Sequence, residues 1–309
     1  MAYDFDTIIG NETIIKSIRS ATKHGHVSHA YVIDGAAGVG KKLLALAFAK
    51  AILCGEKTES DPCGRCVSCN TLESGNHPDV VFVRPSKKTI GVEDIREQVV
   101  NNINLLPYSS DHRIFILEEA ETMTAAAQNA LLKTLEDGPK YIILFLLSKN
   151  LNVFLPTIIS RCAIYKIPSL GHDAVYKYLT AKGITAERSE IAASYSQGSI
   201  GRAIALASDE DFMDFRKDIL EIADNIESGD ITTVFAAAKT LETYKDRINE
   251  ALDILYMHFR SVLLGSEDNF SKSTVTKIRA IEGAGQKLSG NCNFLLTMEI
   301  MLLKLAGMA

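Results

Sequence analysis

The chain has 309 residues, 47% of them hydrophobic, which is material for more than one core and excludes a disordered chain. Its formal net charge is −5, so whole-chain electrostatics give no pull toward nucleic acid or an anionic membrane, though a local basic patch stays open. No apolar run nears the roughly 18 residues that a membrane span needs.

The start, "MAYDFDTIIG", lacks a basic stretch followed by an apolar one, so it does not read as a signal peptide and the chain is expected in the cytoplasm. Six cysteines in that compartment point to metal or free thiols before disulfides. The first strand run is "HAYVID", His29 to Asp34, and it leads into "GAAGVGKK", Gly35 to Lys42. An apolar-rich helical run, "KKLLALAFAKAIL", follows directly. A strand, a glycine loop, a lysine and a helix form the context of a phosphate-binding loop. Gly35, Gly38 and Gly40 let backbone N–H groups turn toward a phosphate, Lys41 offers a cation, and the helix N-terminus adds a favourable dipole. The rival is an ordinary glycine-rich turn. The eighth position of such a loop is Ser or Thr, whose hydroxyl ligates Mg²⁺. Here it is Lys42, which removes the ligand and, pointing inward, would repel the ion.

"CGEKTESDPCGRCVSCN" places Cys54, Cys63, Cys66 and Cys69 in a C-x8-C-x2-C-x2-C array. Two interlocking C-x2-C steps suit one tetrahedral Zn²⁺, with Zn–S distances of about 2.3 Å. Four thiolates fill the shell and leave no place for a catalytic water, so the site reads as structural. It pins an excursion over about residues 54–78, between the loop's helix and the next strand. Unrelated reduced thiols and a redox C-x-x-C pair are the weaker readings, the latter because it needs only two cysteines. His77 lies further along and is left out of the set. Cys162 and Cys292 read as ordinary buried thiols.

Beyond the cysteines, "DVVFVRP", "HRIFIL", "YIILFLLS" and "AIYKIP" are further strand runs. The helical patterns "VEDIREQVVNNINLL" and "TAAAQNALLKTLED" lie between them, the second with Ala127, Ala130, Leu131, Thr134 and Leu135 on one face. Strands separated by helices predict a parallel sheet covered on both faces. Glu118 and Glu119 follow "HRIFIL", where a working loop ATPase keeps one acid for Mg²⁺ and one to polarise the attacking water. Asp is more usual at the first position. Glu118 adds a methylene to a site where a displacement of about 1 Å is expensive. Solvated acids at a strand end are the plain alternative. Lys42 and Glu118 together predict weak or absent hydrolysis and leave ATP and Mg²⁺ binding open.

After Pro168 the strand signal stops. "HDAVYKYLTAKG", "AERSEIAASYSQG" and "IGRAIALAS" read as a small helical unit, punctuated by Gly183, Gly198 and Gly201. From about Asp209 onward the pattern is one of longer amphipathic helices, which fits a bundle used for subunit assembly.

The stretches "IIGNETIIKSI", "HAYVIDGAAGVGKK", the four-cysteine insert, "NALLKTLEDGP", "LPTIISRC" and "GSIGRAIAL" resemble, in order, the delta-prime subunits of bacterial DNA polymerase III clamp loaders. That is a family of the AAA+ superfamily. The likeness covers roughly the first two thirds of the chain; the last third matches only in helical character and length. It implies an α/β fold: a RecA-like AAA+ core with a parallel sheet and zinc-binding insert over 1–168, a small helical lid over 169–208, and an all-α collar domain over 209–309. It implies a subunit with no polymerase chemistry of its own, partnered with delta and tau/gamma subunits. The assembly opens the sliding clamp and places it on primer–template DNA. In this family delta-prime is often a stator with a degenerate nucleotide site. It gives an arginine to a neighbour's ATP site through a Ser-Arg-Cys motif, which stands here as Ser160, Arg161 and Cys162. Arg161 by itself would read as a surface salt bridge. Ser148 matches the polar residue that senses the γ-phosphate, where the family usually has Thr or Asn and a structural serine is equally open. Arg202 matches the lid arginine, with a helix N-terminal surface charge as its alternative. The competing functions are an active AAA+ motor subunit of the same complex and a zinc-dependent nucleic-acid-binding protein. The second lacks a basic stripe.

Overall fold

A strand buried on both faces has no use for polar alternation, and the five strand runs are mostly apolar, "IILFLL" throughout, while "AIYK" alternates half-buried and exposed residues. In the computed structural model, which describes residues 3–56, 61–228, 230–265, 272–290 and 292–308, they form β1 (Ala30–Asp34), β2 (Val80–Val83), β3 (Arg113–Leu117), β4 (Ile142–Ser148) and β5 (Ala163–Lys166). They pair in parallel in the order β2-β3-β4-β1-β5. The expected parallel sheet is therefore present, and all seven residues of β4 are buried.

Successive side chains take opposite faces. Tyr31, Ile33, Ile116, Phe145 and Leu147 pack on one face with α1 (Glu12–His24) and α2 (Lys41–Leu53). Val32, Phe115, Leu117, Leu144 and Leu146 pack on the other with α4 (Val92–Gln98), α5 (Ala125–Asp137) and α6 (Pro156–Ile159). The short α3 (Val67–Glu73) belongs to the cysteine excursion. Every residue of α2 from Leu44 to Leu53 is buried, so the helix has no polar face. Lys50 is the one charge among them. Its ammonium meets Asp4 at 2.6 Å and Glu73 at 2.5 Å, so both ends of the burial are compensated.

Register brings one edge of the sheet together. Asp34 of β1 lies beside Ser148 of β4, and Gly35 N–H donates to the Ser148 carbonyl at 3.1 Å. β3 ends level with Leu146 of β4. The loop after β1 and the acids after β3 thus share the carboxyl edge of the sheet, where open α/β folds bind ligands.

The described residues divide into two units, Met1–Gly183 with Ser196–Ala203, and Ile184–Tyr195 with Ile204–Ala309. The first holds the sheet and α7 (His172–Ala181). The second is helical: α8 (Ala186–Tyr195), the end of α9 (Ile200–Ser208), α10 (Glu210–Ser228), α11 (Ile231–Thr243), α12 (Ile248–Gly265), α13 (Lys272–Ser289) and α14 (Phe294–Leu305). Phe215, Ile219, Val234, Leu255, Phe259, Met298 and Leu302 belong to its core. Among the described residues no helix is long and apolar enough to cross a membrane.

Candidate nucleotide cleft and metal centre

The loop's backbone requires its glycines. Gly38 and Gly40 have φ of +72° and +100°, and a Cβ on Gly38 would lie 2.3 Å from Ser199 Oγ. The start of α9 rests on the loop here, with Gly201 N–H donating to the Gly38 carbonyl at 3.1 Å. Lys41 opens α2 and turns its ammonium back onto the loop, donating to the carbonyls of Gly35 (2.5 Å) and Ala36 (2.7 Å). Burial pulls the Lys41 pKa below its ordinary value, with Glu121 acting against that.

The loop opens on a cleft of 420 Å³ lined by Lys41, Lys42, Glu118, Glu119, Glu121 and Lys149 together with loop backbone. Two of its lysines, Lys42 and Lys149, are paired with its acids. Lys42 Nζ lies 2.7 Å from Glu118 Oε1, with Arg84 at 4.0 Å from the same oxygen. The Lys42 ammonium also sits 5.0 Å over the Phe82 ring. Lys149 Nζ stands 3.9 Å from Glu119 Oε1 and 3.6 Å from Glu121 Oε1. Glu119 itself has a left-handed backbone, φ 51°, uncommon for a residue with a Cβ. Mg²⁺ requires oxygen ligands at about 2.0–2.1 Å in near-octahedral array. Lys42 offers nitrogen where the hydroxyl belongs and already holds Glu118, so this donor set does not fit the ion.

Ser148 is fully buried, and its hydroxyl is used locally: it accepts from Asn150 N–H at 3.0 Å and is 3.1 Å from the Asn150 carbonyl. Arg202 is exposed on the first turn of α9, its N–H donating to Ser199 Oγ. Glu121, Lys149, Ser199 and Gly201 are cleft or loop partners that the motif reading missed. Lys149 follows Ser148 directly, and that adjacency was the available signal.

The four cysteines converge. Their Sγ atoms lie within 4.8 Å of one another, and Cys54 and Cys66 are 3.9 Å apart. Tetrahedral ligands at about 2.3 Å stand about 3.8 Å apart, so the cluster has the dimensions to hold a metal such as zinc. Cys54 caps the end of α2, Cys66 the start of α3, and Cys69 sits in the first turn of α3. Cys63 N–H donates to Cys54 Sγ, and Cys66 N–H to Cys63 Sγ, both at 3.3 Å. The Arg65 N–H first, then the Cys66 N–H, bring the Cys63 thiol down to about 6. His77 stands apart, its Nδ1 accepting from Asp79 N–H. Residues 57–60 of the excursion lie outside the described residues.

Arg161 follows α6, a four-residue helix begun by Pro156 at its first position. The buried Gln128 of α5 fixes the entry to α6: its Oε1 accepts from Leu155 N–H (2.7 Å) and its Nε2 donates to the Val153 carbonyl (3.0 Å). Arg161 Nη1 donates to the Thr157 carbonyl and Ser160 Oγ, and Nη2 lies 2.6 Å from Glu136 Oε1 at the end of α5. A salt bridge is therefore present, with about a third of the Arg161 side chain, 34%, still exposed. β5 runs parallel to β1 with Ala163 beside Tyr31. Arg161 thus lies at the amino edge of the sheet and the glycine loop at the carboxyl edge, a strand's length of about 13 Å away. Burial pushes the half-buried Cys162 thiol up to about 12. Cys292, expected to be buried, is exposed: it falls in the short connection between α13 and α14, where chain position rather than residue type decides exposure.

A family model described as "DNA polymerase III, delta subunit" matches residues 10–171. The delta′ subunit of Bacillus subtilis (strain 168) is 26% identical over 94% of this chain and 95% of its own length. The tau subunit of the same organism is 28% identical over 81% of this chain but only 45% of its own length. The gamma subunit of Buchnera aphidicola subsp. Schizaphis graminum is 32% identical over 65% of this chain and 57% of its own. The chain thus spans about half the length of the gamma and tau relatives it matches. Among solved structures, a gamma-subunit-related protein of Thermotoga maritima aligns with TM-score 0.47 at 15% identity, over 94% of this chain and 98% of that one.

Proposed function

The chain belongs to the DNA polymerase III delta-prime/gamma-tau family of clamp-loader subunits, and on that premise we propose that it is the stator of a replicative clamp loader. In this reading it helps open the sliding clamp and place it on primer–template DNA while hydrolysing no ATP itself. The observation that carries the reading is the 2.7 Å pair between Lys42 and Glu118, which takes both Mg²⁺-handling positions out of use. Gly35, Gly38, Gly40 and Lys41 keep the anion cradle. Glu119 is paired with Lys149, which supports its reading as a vestige of the water-polarising acid. Ser148, with its hydroxyl engaged by Asn150, is better accounted for as a structural serine. Arg202 is exposed beside the loop, in keeping with a lid arginine that reaches for phosphates.

Arg161 is proposed as a finger that serves a neighbour's ATP site. Its place at the sheet edge remote from its own loop supports this, and a guanidinium stabilising the transferring phosphoryl group is worth about 10³–10⁵ in rate in other NTPases. The proposed partners are the delta and tau/gamma subunits, met through residues 209–309 as a collar domain, with 1–168 as the core and 169–208 as the lid. Zn²⁺ is the proposed occupant of the cysteine cluster.

A motor role is the second reading, favoured by the 28% and 32% identity to tau and gamma subunits. ATP turnover by the isolated chain separates the two. The stator reading expects none above background. It also expects that leaving this chain out of a reconstituted loader abolishes DNA-stimulated turnover by the other subunits. Robust hydrolysis by the pure chain, abolished by Lys41→Ala, sinks it.

A further inference from the structure

The divalent ion that the loop's fold implies does not fit this chain, and the misfit bears on what the loop binds. Lys42 occupies the α2 position whose hydroxyl would ligate the ion. Its ammonium lies 2.7 Å from Glu118, the carboxylate that would face the metal from the end of β3. Phe82 lies under that ammonium, and Arg84 stands 4.0 Å from the same oxygen. A metal ion entering here must displace a tethered cation from its carboxylate and shed its own tightly held water. Meanwhile the parts that meet phosphate directly are in place: the glycine backbone, the first turn of α2, and Lys41 within a 420 Å³ cleft.

We infer that this loop takes the phosphates of a nucleoside di- or triphosphate without a divalent metal, the Lys42 ammonium standing as the resident cation. The inference rests on the reading of the loop as one that does not turn over, and deepens it. One tethered charge replaces two mobile ones, so a triphosphate is less fully neutralised than in a metal-dependent loop. The diphosphate, with less charge to compensate, therefore binds at least as tightly as the triphosphate. Neither is cleaved, because no ion spans the phosphates to balance the charge that develops in transfer.

The test is equilibrium binding of ADP and of ATP to the full chain, with Mg²⁺ and in buffer freed of Mg²⁺ by a resin, which leaves the cysteine-bound metal undisturbed. The wild-type Kd is expected to be the same within about twofold in the two buffers. Lys42→Thr is expected to bind more weakly without Mg²⁺ and to gain at least about tenfold on adding it. Glu118→Gln, which frees the Lys42 ammonium, is expected to tighten metal-free binding several-fold; this second variant decides the matter if Lys42→Thr does not fold. Three results overturn the inference: Mg²⁺ tightening the wild type about tenfold, no binding of either nucleotide at about millimolar concentration without metal, or no effect of Glu118→Gln. Metal-dependent binding without hydrolysis defeats this inference alone, whereas metal-dependent hydrolysis defeats the stator reading with it.

Discussion

Arg161 owes its orientation to one carboxylate. Glu136 reaches it at 2.6 Å, while Nη1 bonds only to the last turn of α6. Both partners are partly exposed, so the pair is worth no more than about 1 kcal/mol, or about fivefold in a rate that depends on it. Glu136→Ala should therefore lower the neighbour's ATP turnover by up to about fivefold and leave assembly unchanged. In an Arg161→Ala background it should add nothing, because both changes act through one guanidinium; an additive loss in steady-state ATPase of the double variant would show that Glu136 acts elsewhere. Asp79 holds a second local device. Its buried carboxylate accepts from the N–H groups of Tyr108 and Ser109, at 2.5 and 2.9 Å, and from the Ser109 hydroxyl. Burial alone would raise the Asp79 pKa, but those donors outweigh it and hold the value below the usual carboxylate range. A depressed folded-state pKa means that the stabilisation is present in full above the unfolded value near 3.9 and is lost as pH falls through the lower, folded value. Asp79→Asn should cost about 1–3 kcal/mol at pH 7, since amide hydrogens would face N–H donors. In urea unfolding its gap to the wild type should close as pH approaches 3; a constant gap would refute the assignment. The glycines and Lys41 were legible in the sequence because backbone sterics and phosphate chemistry restrict those positions to few residue types. The Lys42–Glu118, Lys149–Glu119 and Arg161–Glu136 pairs were not, because each joins side chains that only the sheet order or helix packing brings together.

At the scale of elements, the cysteine excursion is tied to the sheet by two devices. The cluster joins the end of α2 to the start of α3, and Glu73, at the end of α3, meets Lys50 in the last turn of α2. The strands carry their own core on both faces and do not pass through the cluster. One Zn²⁺ per chain is expected by elemental analysis of protein purified without chelator; its absence would reject the metal. Stripping it should raise amide exchange over residues 61–73 while the amides of β1 and β4 stay protected. Parallel loss of protection in β4 would mean that the metal supports the core and not only the excursion. Strand runs such as "YIILFLLS" were readable because a parallel strand covered on both sides leaves a continuous apolar signature. The second unit was readable only as helices: an amphipathic stripe says that a helix packs, but not which neighbour it packs against. Cys292 shows the same limit, since cysteine's general tendency to be buried did not apply in an exposed connection.

For the whole molecule, the carboxyl and amino edges of one sheet carry different duties. The carboxyl edge holds the glycine loop, with Lys42 and Glu118 paired with each other, and the amino edge presents Arg161. On the proposed stator reading such a subunit does its chemistry in a neighbour's site, which constrains that residue's shape as well as its charge. A guanidinium is planar, always protonated, and offers a fork of donors to phosphate oxygens, while an ammonium is a compact point charge. In a reconstituted loader, Arg161→Ala should leave the complex intact by gel filtration, since among the described residues the side chain is anchored to Glu136 and its own helix end. Turnover at the served site should fall by about 10³-fold or more, and DNA-stimulated ATPase of the complex should drop by at least that site's share. Arg161→Lys should recover little of it, because the charge returns without the fork. Clamp loading, which depends on all the sites working together, should fall further than bulk ATPase does. Equal ATPase and loading by wild-type and Arg161→Ala complexes, at equal assembly, would reduce Arg161 to one half of a surface salt bridge.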